Sequence, residues 1–188
     1  MDNIGKRIVE IRPAKLSELE YIAQNNEGNV SPKAFIKYLR CAHEMEPHHV
    51  LVAVVDGELA GHLVAISNCG RFMLKLIMNG GLLILMRGAV SRPPLDPHLL
   101  HGAQLGPLTV YPPYRGMGLP RLLVLRMVSD LQSNQIRFWT KETNATIHMM
   151  VRRMAKGKGV CYKEKRCSGG WIRYELRWDA KLVPDLVH

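Results

Sequence analysis

The segment from Leu105 to Leu131 most constrains the fold of this 188-residue chain. Residues 105–110 are predicted to form a strand, which Gly106-Pro107 interrupts, and a glycine-rich turn leads from it into an apolar helix over 121–131. When a strand delivers such a turn to the start of a helix, backbone N–H groups can approach an anion closely. The segment therefore predicts an α/β fold, and its turn is either a phosphate site or simply a tight connection.

The residues before this segment predict a strand and two helices. Ile8 to Ile11 alternates between apolar and polar residues and ends where Arg12-Pro13 removes the next backbone donor. Ser17 and Glu20 have the spacing of a capping box, which predicts the start of a first helix. Ser31-Pro32 gives the start signal again and predicts a second helix that ends near Pro47.

Further strands follow on both sides of the segment. Residues 50–55 and 61–66 are rich in β-branched side chains and are joined through Asp56-Gly57, which predicts a hairpin. After the segment the predicted elements are a strand, a helix and a final hairpin, over 136–140, 143–154, 160–165 and 171–178. The order predicts a single α/β domain over 1–188 with a mixed sheet and flanking helices.

Residues 67–104 form an apolar insertion between the third and fourth predicted strands. Two apolar runs, 72–78 and 82–86, lie between Arg71 and Arg87. They are too short and too interrupted for a membrane span, which needs about 20 apolar residues. The insertion is either two short buried helices, a lid that borders an acyl or acceptor pocket, or an interfacial surface capable of peripheral membrane contact.

Net charge, cysteine spacing and histidine spacing limit the class of partner, the cellular compartment and the metals to be expected. Lys+Arg total 26 against 16 for Asp+Glu, so the net charge of +10 favours an acidic partner such as nucleic acid, an anionic membrane, an acidic carrier protein or a polyphosphate cofactor. The four cysteines form no Cys-x-x-Cys pair and the start lacks the apolar core of a signal peptide, which predicts a reducing cytoplasm. His48-His49 and His98-x-x-His101 lack companion ligands at a recognised spacing, so no metal is predicted.

The stretch from Leu105 to Pro120 resembles the coenzyme A site of the GCN5-related N-acetyltransferases (GNAT). Their pattern of an apolar strand, Val-x-Pro-x-Tyr-Arg-Gly-x-Gly-x-Gly and an apolar helix is matched at Val110, Pro112 or Pro113, Tyr114, Arg115, Gly116 and Gly118. Pro120 replaces the last glycine. Because proline has no N–H, one donor to the coenzyme pyrophosphate is missing, and we expect weaker or shifted coenzyme binding.

The resemblance implies a GNAT-like mixed sheet whose fourth and fifth strands splay apart. The pantetheine arm of the coenzyme is then expected to pair with the backbone around Leu108 and Val110, with Gly106-Pro107 marking a bulge. Asn144 matches an asparagine that the family places after its fifth strand. The expected coenzyme-binding residues are Leu108, Val110, Arg115, Gly116, Met117, Gly118, Arg121 and Asn144.

The activity that the resemblance implies is acyl transfer. An acyl group, acetyl by family prevalence, passes from a coenzyme A thioester to a primary amine of a small molecule. A base must remove the ammonium proton, and His101 and Glu142 are the candidates. The tyrosine that usually acts as the family's general acid corresponds to Val151 in this sequence, and Tyr162 or Tyr114 is a possible substitute.

Two alternatives remain open at this point. Some members of the superfamily take long acyl chains from acyl carrier protein, and the net charge and the apolar insertion suit that acidic donor. A non-catalytic basic module that binds nucleic acid is the other alternative. It is disfavoured because the sequence has no interleaved aromatic residues, zinc pattern or reading helix. The oligomeric state is not predicted.

Overall fold

The computed structural model describes residues 7–26, 31–80, 103–131, 135–156 and 160–178. The strands are β1 (Val9–Pro13), β2 (Val50–Val55), β3 (Glu58–Ile66), β4 (Ala103–Val110), β5 (Gln135–Lys141), β6 (Val160–Cys167) and β7 (Trp171–Trp178). The helices are α1 (Leu19–Gln24), α2 (Pro32–Met45), α3 (Cys69–Met78), α4 (Leu119–Leu131) and α5 (Ala145–Ala155). These elements follow the predicted order, with α3 inside the insertion.

The strands form one mixed sheet in the order β1-β2-β3-β4-β5-β7-β6 among the described residues. All neighbours are antiparallel except β4 and β5, which run parallel. The predicted mixed α/β fold is confirmed. The sheet brings the end of the insertion and the glycine-rich turn to its centre, because β4 lies between β3 and β5.

Helices cover both faces of the sheet. On one face α4 and α5 pack in a core that includes Leu63, Leu123 and Val151. On the other face α1, α2 and α3 pack in a second core that includes Val64 and Phe72. The neighbours Leu63 and Val64 belong to different cores because successive side chains of a strand point to opposite faces.

The β2–β3 hairpin forms as predicted at Asp56-Gly57. Both residues have positive φ, 52° and 89°, as a tight two-residue hairpin turn requires. Asp56 also joins this hairpin to the first strand: its carboxylate accepts from the N–H of Ile8 at 3.0 Å and its own N–H donates to the Ile8 carbonyl.

The predicted capping box of Ser17 and Glu20 is wrong. A 3-10 turn over Leu16–Glu18 precedes α1, and Glu18 takes the capping role by accepting from the N–H of Lys15 at 2.7 Å. The Glu18 carboxylate also pairs with Arg12 at 2.6 Å. The start signal shifts because Glu18, unlike Glu20, lies within reach of the guanidinium at the end of β1.

The described part of the insertion is α3, an amphipathic helix on the α2 side of the sheet. Cys69, Phe72 and Leu76 are buried, and the Asn68 side chain caps the helix by accepting from the N–H of Arg71 at 2.9 Å. Residues 81–102, which include the second apolar run, lie outside the described residues. Within the described ranges, no helix is long and apolar enough to cross a membrane.

Candidate active site

The centre of the sheet contains a gap between β4 and β5. The two strands pair only where they begin, at Ala103 with Ile136 and at Gln104 with Arg137. No further described residues pair between them, so the strands separate toward their C-terminal ends. The predicted splay of the fourth and fifth strands is confirmed.

The separation exposes backbone groups of β4. The N–H of Tyr111 donates to the β3 carbonyl of Ala60 at 2.9 Å. Because backbone polar groups alternate sides along a strand, those of Thr109 also face β3, whereas the N–H and C=O of Leu108 and Val110 face the gap. The gap therefore offers a strand edge that an extended ligand can pair with.

A β-bulge lies in the same strand, where Gly106-Pro107 predicted it. Leu63 pairs with Leu108 and Ala65 pairs with Leu105, so two residues of β4 lie opposite the single residue Val64. Such an extra residue bends the strand and redirects its backbone groups. Here it redirects the stretch that begins at Leu108.

The turn after β4 combines two positive-φ glycines with unpaired amides. Gly116 and Gly118 have φ of 86° and 75°, and a Cβ added to either would meet no atom within 4 Å. Glycine is thus required by the backbone conformation and not by lack of space. Among the described residues, no acceptor is paired with the N–H groups of Gly116, Met117 or Gly118. These amides lie immediately before α4, which suits an anion.

Pro120 is the second residue of α4. The N–H groups of Arg121 and Leu122 both approach the Gly118 carbonyl, at 3.1 and 3.4 Å, so the first helical turn closes despite the proline. The N–H groups of a first turn have no acceptor within their own helix, and proline at this place removes a donor without breaking the helix. The donors that remain are shifted toward Gly116–Leu119.

Arginines surround this turn. The Arg115 Nε donates to the Val110 carbonyl at 3.2 Å, so this side chain reaches back to the edge of the gap. Arg121 is exposed in the first turn of α4. Arg7, from the start of the chain, contacts the Met117 sulfur at 3.6 Å. Positive charge from three parts of the sequence therefore lies next to the unpaired amides.

The end of β5 forms the other side of the gap and holds two predicted residues. The Glu142 carboxylate is about half exposed, 53%, with Arg166 3.6 Å away. Asn144 caps α5 because its side-chain oxygen accepts from the N–H of Ile147 at 3.3 Å. This capping bond occupies one side-chain group that the predicted coenzyme contact would use. His101, the other predicted base, lies outside the described residues.

Comparison with solved structures decides the fold. Diaminobutyrate acetyltransferase EctA from Paenibacillus lautus, in complex with L-2,4-diaminobutyric acid and coenzyme A, matches with a TM-score of 0.61 and 8% identity over 92% of this chain and 96% of that one. The ribosomal-protein-S18-alanine N-acetyltransferase from Escherichia coli matches with 0.56 and 13% over 92% and 95%. An acetyltransferase of the GNAT family from Streptococcus pneumoniae matches with 0.53 and 12% over 91% and 99%.

This chain has the GNAT fold. No protein-family model matches its sequence, and no curated protein does. These three structural matches are below a fifth in identity, so the fold is what they establish. They give no support to an acyl carrier protein donor or to membrane contact.

Within this GNAT fold the residues proposed as acids are scattered. Val151, at the position of the family's tyrosine, is fully buried in the core. Tyr162 lies on the edge strand β6, which β7 and β5 separate from the gap. The Tyr114 hydroxyl donates to Glu58 at 2.7 Å, and this hydrogen bond raises the pKa of the phenol. None of these three side chains is placed in the gap.

A polar network at the end of β5 was not predicted from the sequence. His148 Nε2 lies 3.1 Å from the carbonyl of Lys141 and 3.0 Å from that of Glu142. Its Nδ1 lies 2.7 Å from the Tyr174 hydroxyl, which donates to Glu164 at 3.1 Å. Burial, aided by the bond to Glu164, raises the pKa of Tyr174 to about 12. The network fixes the chain directly after β5, where Glu142 lies. The only sequence signal for it is the position of His148 on the predicted helix 143–154.

His62 of β3 is a second residue that sequence reasoning missed. Its ring is fully buried, with Nδ1 3.4 Å from the Tyr111 hydroxyl. Desolvation lowers the pKa of His62 to about 4, so the ring is neutral at neutral pH. A histidine inside the apolar run 61–66 was the available signal, and it indicates a core histidine on the α2 side of the sheet.

His48 and His49 do have a companion in the structure. Glu46 Oε2 lies 2.9 Å from His48 Nε2 and 3.2 Å from His49 Nε2. Burial lowers the pKa of His49, and its Nε2 also lies 3.0 Å from the Ser67 hydroxyl. The sequence did not show this grouping because Glu46 reaches the histidines only after the chain turns at the end of α2.

Proposed function

We propose that this protein transfers an acetyl group from acetyl-CoA to the primary amine of a small molecule. One observation carries the proposal: the gap-facing backbone of Leu108 and Val110 continues directly into the unpaired amides of Gly116, Met117 and Gly118. A strand edge followed by an anion site has the form needed for a thioester that carries a pyrophosphate. The GNAT fold of the structural neighbours supports the same reaction class.

The proposed coenzyme position follows from these groups. The pyrophosphate accepts from the N–H groups of 116–119, with Arg115 and Arg121 adding positive charge. Pantetheine pairs with the backbone of Val110 and Leu108 and runs back along β4 toward the bulge. The thioester then lies at the bulge, where the redirected N–H of Leu108 donates to its carbonyl oxygen and stabilises the oxyanion that forms. Asn144 contributes its side-chain N–H₂ from the β5 side of the gap, since its side-chain oxygen caps α5.

The proposed chemistry is direct attack of a neutral amine on the thioester carbonyl. The amine must first lose a proton, for which Glu142 at the end of β5 and His101 remain the proposed bases. The Glu142 carboxylate is half exposed and lies 3.6 Å from Arg166 of the edge strand β6, so as a base it would have to reach the amine through water. No carboxylate lies on β4 itself, so positioning and carbonyl polarisation by the backbone carry most of the acceleration.

The setting and the acceptor are part of the proposal. All four cysteines are free thiols, which supports a reducing cytoplasm. The reported neighbours include both a diaminobutyrate acetyltransferase and a ribosomal-protein N-acetyltransferase, and the first of them is the support for a small-molecule amine as the acceptor. The net charge of +10 favours an anionic donor or an acidic acceptor.

The test of coenzyme binding compares two glycines with the same backbone strain. Gly118 in the turn and Gly57 in the β2–β3 hairpin have φ of 75° and 89°, and neither has an atom within 4 Å of an added Cβ. A Gly118→Val variant should bind coenzyme A at least about tenfold more weakly in calorimetry, because the turn leaves the left-handed region. Gly57→Val imposes the same strain outside residues 115–118, in the hairpin whose Glu58 accepts from Tyr114, and should keep wild-type affinity.

Equal affinities in the wild type and in a folded Gly118→Val variant would contradict the assignment of this turn. The reaction itself is tested by free-thiol release from acetyl-CoA and from long-chain acyl donors across a panel of small amines. Release from acetyl-CoA that depends on the amine supports the proposal. Thiol release only from an acyl carrier protein thioester would identify that thioester, and not acetyl-CoA, as the donor. Salt-dependent retention on DNA without thiol release would favour the nucleic-acid alternative.

A further inference from the structure

Gly106, in the bulge of β4, faces a tyrosine of α2. A Cβ built on Gly106 would lie 2.9 Å from the Tyr38 hydroxyl oxygen and 3.6 Å from the Cβ of Val64. Only glycine lets the hydroxyl approach the bulge this closely, because real Cβ atoms do not come under 3.0 Å. The phenolic hydroxyl thus lies over the bulge, next to the position proposed for the thioester.

The Tyr38 ring is held by two other rings. It stacks on Phe35 of α2 at 5.8 Å between centroids with an interplanar angle of 17°. Phe72 of α3 meets it edge-on at 5.0 Å and 73°. Phe35 and Phe72 are both buried. Such aromatic contacts fix a ring in one orientation, so α3, the described helix of the insertion, helps to hold the hydroxyl at the bulge.

We propose that Tyr38 is a catalytic residue that relays a proton from the attacking amine to the departing sulfur. This inference rests on the proposed function. α4, which carries the anion site, lies on one face of the sheet, and Tyr38 lies on the other. A coenzyme held at the start of α4 leaves the Tyr38 side for the acceptor amine. The hydroxyl then lies beside both the nitrogen that attacks and the sulfur that leaves.

The proposed step balances without any further reactant. Attack of the neutral amine forms a C–N bond and gives a tetrahedral intermediate with a positively charged nitrogen and a negatively charged oxygen. The phenol oxygen accepts a proton from this nitrogen while its own proton passes to the sulfur. The C–S bond breaks, the carbonyl re-forms, and the products are the amide and the free thiol of coenzyme A. Tyr38 ends in its starting protonation state.

The proposal also accounts for the side chains that fail to reach the gap. The position of the family's tyrosine on α5 is Val151, which is fully buried. Tyr162 is separated from β4 by two strands and Tyr114 donates to Glu58. Tyr38 supplies a phenol at the reacting centre from a different helix.

The first test removes only the hydroxyl. Tyr38→Phe keeps the ring and its contacts with Phe35 and Phe72, so the fold and the coenzyme affinity should stay within about twofold of wild type. The value of kcat should fall by at least about 10²-fold, the lower end of general acid–base effects. Calorimetry with coenzyme A and thiol release at saturating amine separate the two quantities. A fall in affinity with kcat preserved would overturn the proposal.

The second test displaces the hydroxyl without removing it. In Gly106→Ala the new methyl group would lie 2.9 Å from the Tyr38 hydroxyl oxygen and should push the hydroxyl away, so kcat should fall to near the Tyr38→Phe value. The double variant should be no slower than Tyr38→Phe alone, because phenylalanine leaves room for the methyl group.

Additive losses in this cycle, or a Tyr38→Phe rate within about threefold of wild type, would overturn the relay and leave the proposed function standing. A wild-type protein that binds no coenzyme A and releases no thiol would overturn both proposals.

Discussion

The two parallel strands at the centre of the sheet are each followed by a helix, and the two helix starts differ. Before α4, the amides of Gly116, Met117 and Gly118 have no partner among the described residues. Before α5, the turn is closed: the Asn144 N–H donates to Lys141, and its side chain caps the helix. Both turns sit at the open end of the same gap.

This difference shows what makes a helix start into an anion site. Every helix has orphan N–H groups in its first turn, and a capping side chain satisfies some of them. Positive-φ glycines at 116 and 118 hold the amides forward of α4 and leave no side chain to cap them. At α5 the side chain of Asn144 accepts from one of the corresponding N–H groups, that of Ile147. The proposed pyrophosphate site therefore belongs to α4, and α5 serves to position the end of β5.

The largest expected effect comes from removing a backbone donor that faces the gap. Leu108→Pro deletes one N–H on the β5 side of β4, and that N–H takes no part in the pairing with β3. We expect kcat/KM to fall by about 10²–10³-fold, as for loss of one oxyanion donor. Thiol-release kinetics measure the loss.

Thr109→Pro is the contrasting variant. The Thr109 N–H faces β3, so its loss should lower the thermal stability of the sheet more than Leu108→Pro does, because Leu108→Pro loses no hydrogen bond to β3 and only the packing of the Leu108 side chain against the core. If folded Leu108→Pro protein transfers acetyl groups at nearly the wild-type rate, the gap-facing backbone of β4 is not the thioester site.

A smaller effect is expected from the proposed bases. Glu142→Gln and His101→Ala should each reduce kcat by no more than about 10²-fold, because amine attack depends mainly on backbone positioning. The pH profile of kcat/KM should shift most for the variant that removes the true base. A loss of about 10⁴-fold for either variant, with coenzyme affinity preserved, would instead make that side chain an essential base.

The fold was predictable because its elements carry local signals. Asp56-Gly57 determines a hairpin through its own backbone preferences, and Ser31-Pro32 determines a helix start. The gap and the bulge followed from the motif around Gly106-Pro107 and its resemblance to a known site. The start of the first helix was misplaced because the cap depends on an ion pair between Glu18 and Arg12 of β1, and a helix pattern does not include a residue of the preceding strand.

The side chains around the site were less predictable. Tyr38 is one aromatic residue on the apolar face of an amphipathic helix, and nothing local distinguishes it from a core residue. The proposed role of Tyr38 depends on Gly106, which follows it by more than sixty positions and approaches it only in the folded sheet. The coenzyme residues around Gly116 and Gly118 remain predictions, now supported by the geometry of their amides.

His62, which lies outside the gap, should make the stability of the protein depend on pH. His62 is neutral in the folded protein because burial lowers its pKa to about 4, from an ordinary value of 6.5. As pH falls below the unfolded pKa, the unfolded chain binds a proton that folded His62 does not, so stability decreases. From about pH 7 to pH 5 the expected loss is about 2 kcal/mol, measured by urea unfolding. Carboxylates such as Glu18, whose pKa lies below its ordinary value, lose their contribution only at lower pH.

His62→Phe should reduce this dependence to the part that His49 contributes, because phenylalanine packs against Phe35 and Tyr111 and binds no proton, whereas burial also lowers the pKa of His49. Tyr111→Phe is the matched control: it removes the hydroxyl 3.4 Å from the imidazole and keeps the imidazole itself, so the loss toward pH 5 should persist. Equal pH dependence in wild type and His62→Phe would show that another group titrates. If instead folded His62→Phe protein loses acetyl transfer, β3 contributes a side chain to catalysis, and the backbone groups of β4 and of the turn before α4 are not sufficient for it.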